Sequence, residues 1–193
     1  GGVESAATDV VLAVRVPMEA KVEEPGAVVL PRRAGDIVRT MADGPISLEH
    51  RANEGVIGVA GGGSSFALNC LQAHDFPELP PDEGSGLSIP ADLLVEAIDR
   101  VARAASRDET RPVLTGVLVR LGPEGITLVA TDSYRLAVRQ TPLDPAPPEA
   151  VEAIVPARAL TEVARLVGVM KADVVAVVLS ETQALFRVGD LRL

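Results

Sequence analysis

Short runs of valine, leucine and isoleucine, many of them alternating with polar residues, recur along the chain and predict β-strands. These predicted strands lie at 9–17, 26–30, 45–50, 55–60, 65–71, 115–121, 125–131, 134–141, 151–155, 174–179 and 184–189. Longer amphipathic stretches predict three helices, each opening with a proline whose missing N–H suits the first helical position, at 31–42, 90–107 and 156–170. Many strands with few helices indicate an α+β fold with helices on one face of antiparallel sheets.

Two parts of the chain resemble each other. Ala7-Thr8-Asp9 and Leu12-Ala13-Val14-Arg15 recur as Ala130-Thr131-Asp132 and Leu136-Ala137-Val138-Arg139, and Val29-Leu30-Pro31 recurs as Ile154-Val155-Pro156. The spacing drifts from 123 to 124 to 125 residues, which is typical of small insertions between copies. We therefore expect duplicated domains built from strand–helix–three-strand units.

A segment rich in proline, glycine and acidic residues, 77–86, predicts a linker between these copies. The first domain is then expected to span 1–76 and the second 87–193. The first copy begins near the end of its first strand–helix–three-strand unit, and the second copy lacks its last segment. Both ends of the chain are therefore expected to be cuts within domains.

The composition restricts the classes of function. With 47% hydrophobic but only 2% aromatic residues, the core is expected to consist of valine, leucine, isoleucine and alanine. The chain contains no run of about 18 apolar residues, so no membrane span is predicted. The one cysteine, Cys70, is expected to lie in the core and fits a reducing cytoplasm. A net charge of −9 argues against a nucleic-acid partner unless basic residues gather on one surface.

Basic residues do gather on the predicted helices. The stretches 31–41 and 156–171 each carry three basic residues and one acidic residue. In the third helix, Arg158 and Arg165 lie opposite an apolar face made by Leu160, Val163, Val167 and Met170. In 90–107, arginines share their side of the helix with acidic residues. From this pattern alone, ordinary solvated helix surfaces explain the arginines better than a binding site does.

The pattern gives no support for an enzyme. Asp9 and Asp132 each follow a threonine at a turn, where aspartate commonly accepts bonds from the local backbone. The glycine-rich stretch 61–65 lacks the lysine and helix of a phosphate loop and predicts a hairpin loop. His50 and His74 have no metal-ligand spacing. We expect no catalysis, no metal and no cofactor.

Several segments, in collinear order over nearly the whole chain, resemble bacterial DNA sliding clamps, the beta subunits of DNA polymerase III. They are GITLVATDSYRLAVR at 125–139, RPVLTGVL at 111–118, SFAL at 65–68, AHDFPEL at 73–79 and VGD at 188–190. The resemblance places part of a first clamp domain and most of a second in this chain, without the third.

The resemblance implies a non-catalytic processivity factor. Such clamps are homodimeric rings, with sheets outside and helices lining a positive bore that contacts the phosphates of duplex DNA without reading sequence. Arg33, Arg107 and Arg158 match positions that line the bore, with Arg32, Arg100, Arg103 and Arg165 beside them. Where some relatives carry aromatics near DNA, this chain has Pro112 and Val113.

The resemblance also implies a cleft that binds peptides from polymerase, clamp loader and repair proteins. The matching positions are Leu114, Thr131, Ser133, Tyr134, Arg135 and Leu136, where Ser133 replaces a glycine of many relatives. Pattern alone favours a simpler interpretation, with Leu114 and Leu136 in the core and a plain turn between the strands. A protein-interaction module that reuses the clamp fold without DNA is the alternative function.

Overall fold

The computed structural model describes residues 2–79, 84, 86–180 and 182–193, so residues 80–83 and 85 of the predicted linker lie outside it. Its helices and strands, in chain order, are β1 (Gly2–Thr8), β2 (Ala13–Glu19), β3 (Val28–Val29), α1 (Arg33–Thr40), β4 (Ile46–Arg51), β5 (Val56–Gly61), β6 (Ser64–Asn69), β7 (Leu71–Gln72), β8 (Leu87–Pro90), α2 (Ala91–Val101), β9 (Gly116–Gly122), β10 (Gly125–Thr131), β11 (Leu136–Thr141), β12 (Val151–Pro156), α3 (Ala157–Met170), β13 (Val174–Leu179), β14 (Ala184–Val188) and β15 (Leu191–Arg192).

The larger of two compact units combines residues 1–20 with 80–193. Its strands form a six-stranded sheet in the order β1-β2-β15-β14-β13-β8 and a four-stranded sheet in the order β11-β10-β9-β12. Every pairing described in the two sheets is antiparallel. Helices α2 and α3 pack against each other and against strands of both sheets. The predicted α+β fold, with strand–helix–three-strand units, is confirmed.

The core of this unit follows the predicted periodicities. Alternate residues of β9 and β10 are buried, and one face of each helix is buried against them, in the set Val117, Val119, Leu121, Ile126, Leu128, Leu94, Ile98, Val101, Leu160, Val163 and Val167. Burying each such side chain contributes about 1.5–3 kcal/mol. Met170, at the end of the predicted apolar face, is 45% exposed in the last turn of α3.

The smaller unit spans residues 21–79. It contains α1, the paired strands β3 and β7, and a sheet in the order β4-β5-β6. Ala34 of α1 is buried with residues of β5 and β6, and Cys70 is half-buried beside them. Gly62 and Gly63 form the two-residue turn between β5 and β6 with φ of 55° and 79°, a conformation open to glycine. The predicted hairpin loop is confirmed.

Several predicted element limits were wrong. Pro90 and Pro156 are the last residues of strands, with ψ of 129° and 131°, and the helices begin one residue later. Proline fixes only φ, which strands and helices share, so its presence cannot place the boundary. Helix α2 ends at Val101 and passes into a 3-10 turn at Ala102–Ala104, so the helix predicted to 107 is too long.

The first strand predicted, 9–17, was also misplaced. Residues before Asp9 form β1, and the chain turns at Asp9 before β2 begins at Ala13. The hairpin of β1 and β2 extends the larger unit's sheet, because Arg15 of β2 pairs with Arg192 of β15. The compact units therefore differ from the predicted division over the first 20 residues, and the domain limits 1–76 and 87–193 stay predictions.

Candidate functional site

The turn between β10 and β11 is fixed by its own side chains. Thr131 donates from Oγ1 to the Arg135 carbonyl at 2.7 Å and accepts from the Ser133 backbone N–H at 3.2 Å. Oδ1 of Asp132 accepts the backbone N–H groups of Tyr134 and Arg135, both at 3.0 Å. These bonds favour the carboxylate and lower the pKa of Asp132, the Tyr134 N–H being the largest cause. The predicted local role of this aspartate is confirmed.

The turn between β1 and β2 repeats the same network. Thr8 donates from Oγ1 to the Leu12 carbonyl at 3.0 Å and accepts from the Val10 N–H at 3.0 Å. Oδ1 of Asp9 accepts from the N–H groups of Val11 and Leu12 at 3.2 and 2.9 Å, and its pKa is lowered, chiefly by the Leu12 N–H. Val10 and Ser133 occupy equivalent positions with φ of 78° and 79°. Because the two turns share the same hydrogen-bond network, they support the predicted duplication.

The structure corrects the register of this repeat. Thr8 pairs with Ala13 across the first hairpin, and Thr131 pairs with Leu136 across the second, 123 residues later at both positions. Leu136 is therefore equivalent to Ala13, and Leu12 is equivalent to Arg135. The prediction of a one-residue insertion between the Thr-Asp and Leu-Ala-Val-Arg blocks was therefore wrong. The match of the four residues in the sequence is shifted by one position from the alignment that the paired strands give.

Two of the predicted peptide-cleft residues expose apolar surface beside the second turn. Tyr134 is 95% exposed and Leu136 is 66% exposed, whereas Leu114 is half-buried. Arg111 joins the two segments, since it donates from Nη1 to Ser133 Oγ at 3.2 Å and its carbonyl accepts the Leu114 N–H at 3.0 Å. The simpler interpretation is wrong for Leu136, which does not lie in the core.

A groove of about 570 Å³ adjoins this turn, and sequence reasoning missed it. It lies between the end of α2 and strand β11, and its lining comprises Asp99, Arg100, Val101, Arg103 and Leu136–Arg139. Within the described sheet, β11 pairs only with β10 and forms one edge. The available signal was the alternation of Leu136 and Val138, whose faces a sequence cannot assign to solvent or core.

The arginines predicted at the end of α2 are placed by neighbouring groups. Arg100 pairs through Nε with Glu96 Oε1 at 2.9 Å, and the same oxygen accepts from Arg139 at 3.3 Å. Arg103 donates from Nε to the Asp99 carbonyl at 2.6 Å. Arg107 is exposed beyond the 3-10 turn that follows the helix. This surface therefore carries charges of both signs, in agreement with the sequence pattern.

On α3, both predicted arginines are exposed and ion-paired. Arg165 forms two bonds to Glu162, at 2.9 and 2.6 Å, and lowers the pKa of that carboxyl. Arg158 pairs through Nη1 with Asp9 Oδ2 at 2.8 Å. The ion pair between Arg158 and Asp9 joins α3 to the first repeated turn, and sequence reasoning missed it.

The remaining predicted DNA-facing residues lie elsewhere. Arg32 and Arg33, at the start of α1 in the smaller unit, are exposed. Val113 is 66% exposed in the 3-10 turn Pro112–Thr115. Among the described residues, no group of three or more histidine, cysteine or acidic side chains is arranged to hold a metal ion. No described helix is long and apolar enough to cross a membrane.

Comparison with known proteins gives one consistent family. The model described as "DNA polymerase III beta subunit, central domain" matches residues 88–193. The Bacillus subtilis beta sliding clamp is 34% identical over 172 residues, covering 88% of this chain and 45% of that protein. The "Beta sliding clamp homolog GriR" of Streptomyces muensis is 37% identical over 175 residues, covering 90% of this chain and 46% of that protein.

Solved structures agree with these relatives. The Bacillus subtilis DNA polymerase sliding clamp superposes with a TM-score of 0.88 at 30% identity, covering 99% of this chain and 52% of that one. A sliding clamp from Bartonella birtlesii bound to griselimycin superposes with a TM-score of 0.81 at 32% identity, covering all of this chain and 53% of that one. The chain thus spans about half the length of the relatives it matches.

Proposed function

The chain belongs to the DNA polymerase III beta subunit family, the beta sliding clamps, and we propose that it acts as a DNA polymerase processivity factor. In this role it encircles duplex DNA and holds other replication proteins on it, without catalysis of its own. We further propose that residues 1–76 are the C-terminal part of one clamp domain, that 77–86 link it to the next, and that 87–193 are most of that second domain.

The observation that carries the proposal is the set of exposed arginines on and after the helices of an acidic chain. Arg107 and Arg158 face solvent in the larger unit, and Arg33 does so in the smaller unit, while the chain as a whole carries a charge of −9. Arginines of this kind contact phosphates without reading bases. Because each contact is weak and screened by salt, a ring can stay on DNA and still slide.

Neighbouring acids support this assignment. Arg100, Arg158 and Arg165 each pair with a carboxylate, which moderates their attraction to phosphate. A protein that bound phosphates tightly would stop on DNA, so a surface of mixed charge suits sliding better than a uniformly basic one. In this proposal Arg32, Arg33, Arg100, Arg103, Arg107, Arg158 and Arg165 face the DNA.

Partner proteins dock, in this proposal, at the surface around the second turn. Leu136 and Tyr134 supply exposed apolar area beside the half-buried Leu114 and the stem of Arg135, and Thr131 and Ser133 hold the turn. Peptides of polymerase and clamp loader would bind there. The relative from Bartonella birtlesii was crystallised with griselimycin, which offers a ready probe of such a site.

A fluorescence anisotropy titration with labelled griselimycin tests the docking surface on the protein in its native full length. The Leu136→Asp variant is expected to bind more than about tenfold more weakly, because docking would desolvate the new carboxylate. Val174→Asp, which changes an exposed valine on the other sheet of the larger unit, is the matched control and is expected to bind like the unmodified protein. Equal affinity of the Leu136→Asp variant and the unmodified protein would refute the docking surface.

A further inference from the structure

We propose that Asp9 is a positioning residue that holds Arg158 and competes with DNA phosphate for its guanidinium. The inference rests on the proposed function, since it concerns how strongly the protein grips DNA. Its basis is the 2.8 Å ion pair between Arg158 Nη1 and Asp9 Oδ2. The first repeated turn would then weaken the contact between Arg158 and a DNA phosphate.

The internal repeat explains why the Asp9 carboxylate is available. In the second turn, Asp132 uses Oδ1 for the backbone and Oδ2 for a local arginine, Arg135, at 3.0 Å. In the first turn, the position equivalent to Arg135 is Leu12, which offers no charge. Asp9 therefore keeps Oδ1 for the same backbone bonds and presents Oδ2 to the arginine of α3.

The position of Arg158 in α3 adds a second reason. Arg158 is the second residue of the helix, where the positive end of the helix dipole disfavours a cation. Within the described helix α3, the first turn holds no acidic residue and the N-cap makes no side-chain hydrogen bond. The Asp9 carboxylate is the negative charge that the helix itself does not supply, and it draws the guanidinium toward the β1–β2 turn.

Both partners remain accessible to a competitor. The side chain of Arg158 is 58% exposed and that of Asp9 is 50% exposed. Exposed ion pairs of this kind are weak, so a phosphate group that approaches the guanidinium can take the place of the carboxylate. The pair thus makes the Arg158–phosphate contact conditional, which keeps it from stopping the protein on DNA.

The Asp9→Asn variant removes the competing charge and leaves the amide oxygen to accept the bonds from Val11 and Leu12. Binding of the native full-length protein to a short duplex, followed by anisotropy across a range of KCl concentrations, measures the effect. We expect tighter binding, about three- to tenfold at low salt, and a slope of log affinity against log salt that steepens by up to about 0.9, the value for one complete phosphate contact.

Two further variants make the result specific. Asp132→Asn makes the same change in charge in the equivalent turn, whose carboxylate pairs with Arg135, and is expected to leave the slope unchanged. The double variant Asp9→Asn/Arg158→Ala is expected to bind like Arg158→Ala alone, because the released guanidinium is then missing. If Asp9 had only a structural role, the Asp9→Asn variant would leave the slope of log affinity against log salt unchanged.

The outcomes separate the inference from the function on which it rests. If Arg107→Glu weakens binding while Asp9→Asn matches the unmodified protein, DNA binding stands and the inference falls. Equal gains from Asp9→Asn and Asp132→Asn would mean a general effect of charge and would also overturn it. If neither Arg107→Glu nor Arg158→Glu changes binding, the proposed DNA surface itself is wrong.

Discussion

The guanidinium of Arg135 donates from Nη2 to the backbone carbonyl of Arg103 at 2.6 Å. The two residues are 32 positions apart, one in the turn that we propose for docking and the other just after α2. Nε of the same guanidinium pairs with Asp132 at 3.0 Å. One side chain therefore fastens the segment that follows α2, with the arginines that we propose to face DNA, to the second repeated turn.

Replacing Arg135 with methionine is expected to loosen that segment. The change keeps much of the apolar stem and removes both polar links, and for an exposed group such links contribute about 0.5–1 kcal/mol. Local opening should then expose the amides of Ala105 and Ser106, whose N–H groups bond to Ala102 and Leu114, about two- to fivefold more often. Hydrogen exchange followed by NMR measures this directly.

Arg120→Met is the control for that measurement, since Arg120 is exposed on β9. It should leave exchange at Ala105 and Ser106 unchanged. Equal exchange in the Arg135→Met variant and the unmodified chain would show that the 2.6 Å bond does not order the segment.

A glycine at position 10 is expected to stabilise the fold. Val10 is β-branched, 86% exposed and held at φ of 78°, a left-handed conformation that disfavours side chains with a Cβ. Relief of that strain, less the extra entropy of an unfolded glycine, should raise the free energy of unfolding by about 0.5–1 kcal/mol. Urea denaturation of the Val10→Gly variant measures the change.

The neighbouring valine is the matched control. Val11 is also exposed but is not among the described residues with positive φ, so Val11→Gly should lower the free energy of unfolding by a similar amount through unfolded-state entropy alone. Destabilisation by both variants would contradict the strained conformation of Val10.

Acid is expected to weaken the two repeated turns. The pKa values of Asp9 and Asp132 are lowered by backbone N–H donors, first those of Leu12 and Tyr134 respectively. A lowered pKa in the folded state means that the contribution is complete above the unfolded value of about 3.9 and is lost as pH falls through the folded values. The urea midpoint should therefore be steady above about pH 5 and fall below about pH 4.

Substitution of both aspartates by asparagine should make that acid-induced decline shallower, because the titrating carboxylates are gone. Asp43→Asn, at an exposed position outside the two turns, should leave the decline as it is in the unmodified chain. A decline of the same steepness in all three proteins would assign the acid sensitivity to other groups.

The fold could be predicted from sequence where periodicity and local chemistry decide it. Alternation placed Val117 and Val119 in the core, and a threonine followed by aspartate indicated both turns, although the strand predicted at 9–17 ran through the first of them. The strand register could not be predicted, because Leu12 and Leu136 match as letters while hydrogen bonding pairs Leu136 with Thr131 and aligns it with Ala13. Only the folded strands distinguish those alternatives.

The candidate site was less accessible to sequence reasoning. The ion pair of Arg158 with Asp9 joins residues 149 positions apart, and no periodic pattern links them. The exposure of Leu136 depends on β11 lying at a sheet edge beside α2, which is decided by tertiary packing. Family resemblance selected Arg158 and Leu136 but not Asp9, and the contacts of all three residues became available only from the structure.

Retention on circular DNA tests the proposed clamp function most directly. The native full-length protein would be loaded onto nicked circular duplex by its clamp loader and passed through a sizing column in moderate salt. We expect that it stays with the circle, that it is lost when the DNA is cut once to a linear form, and that charge reversal at Arg33, Arg107 and Arg158 reduces loading. Equal retention on circular and linear DNA, or unchanged loading after charge reversal, would contradict the proposed clamp function.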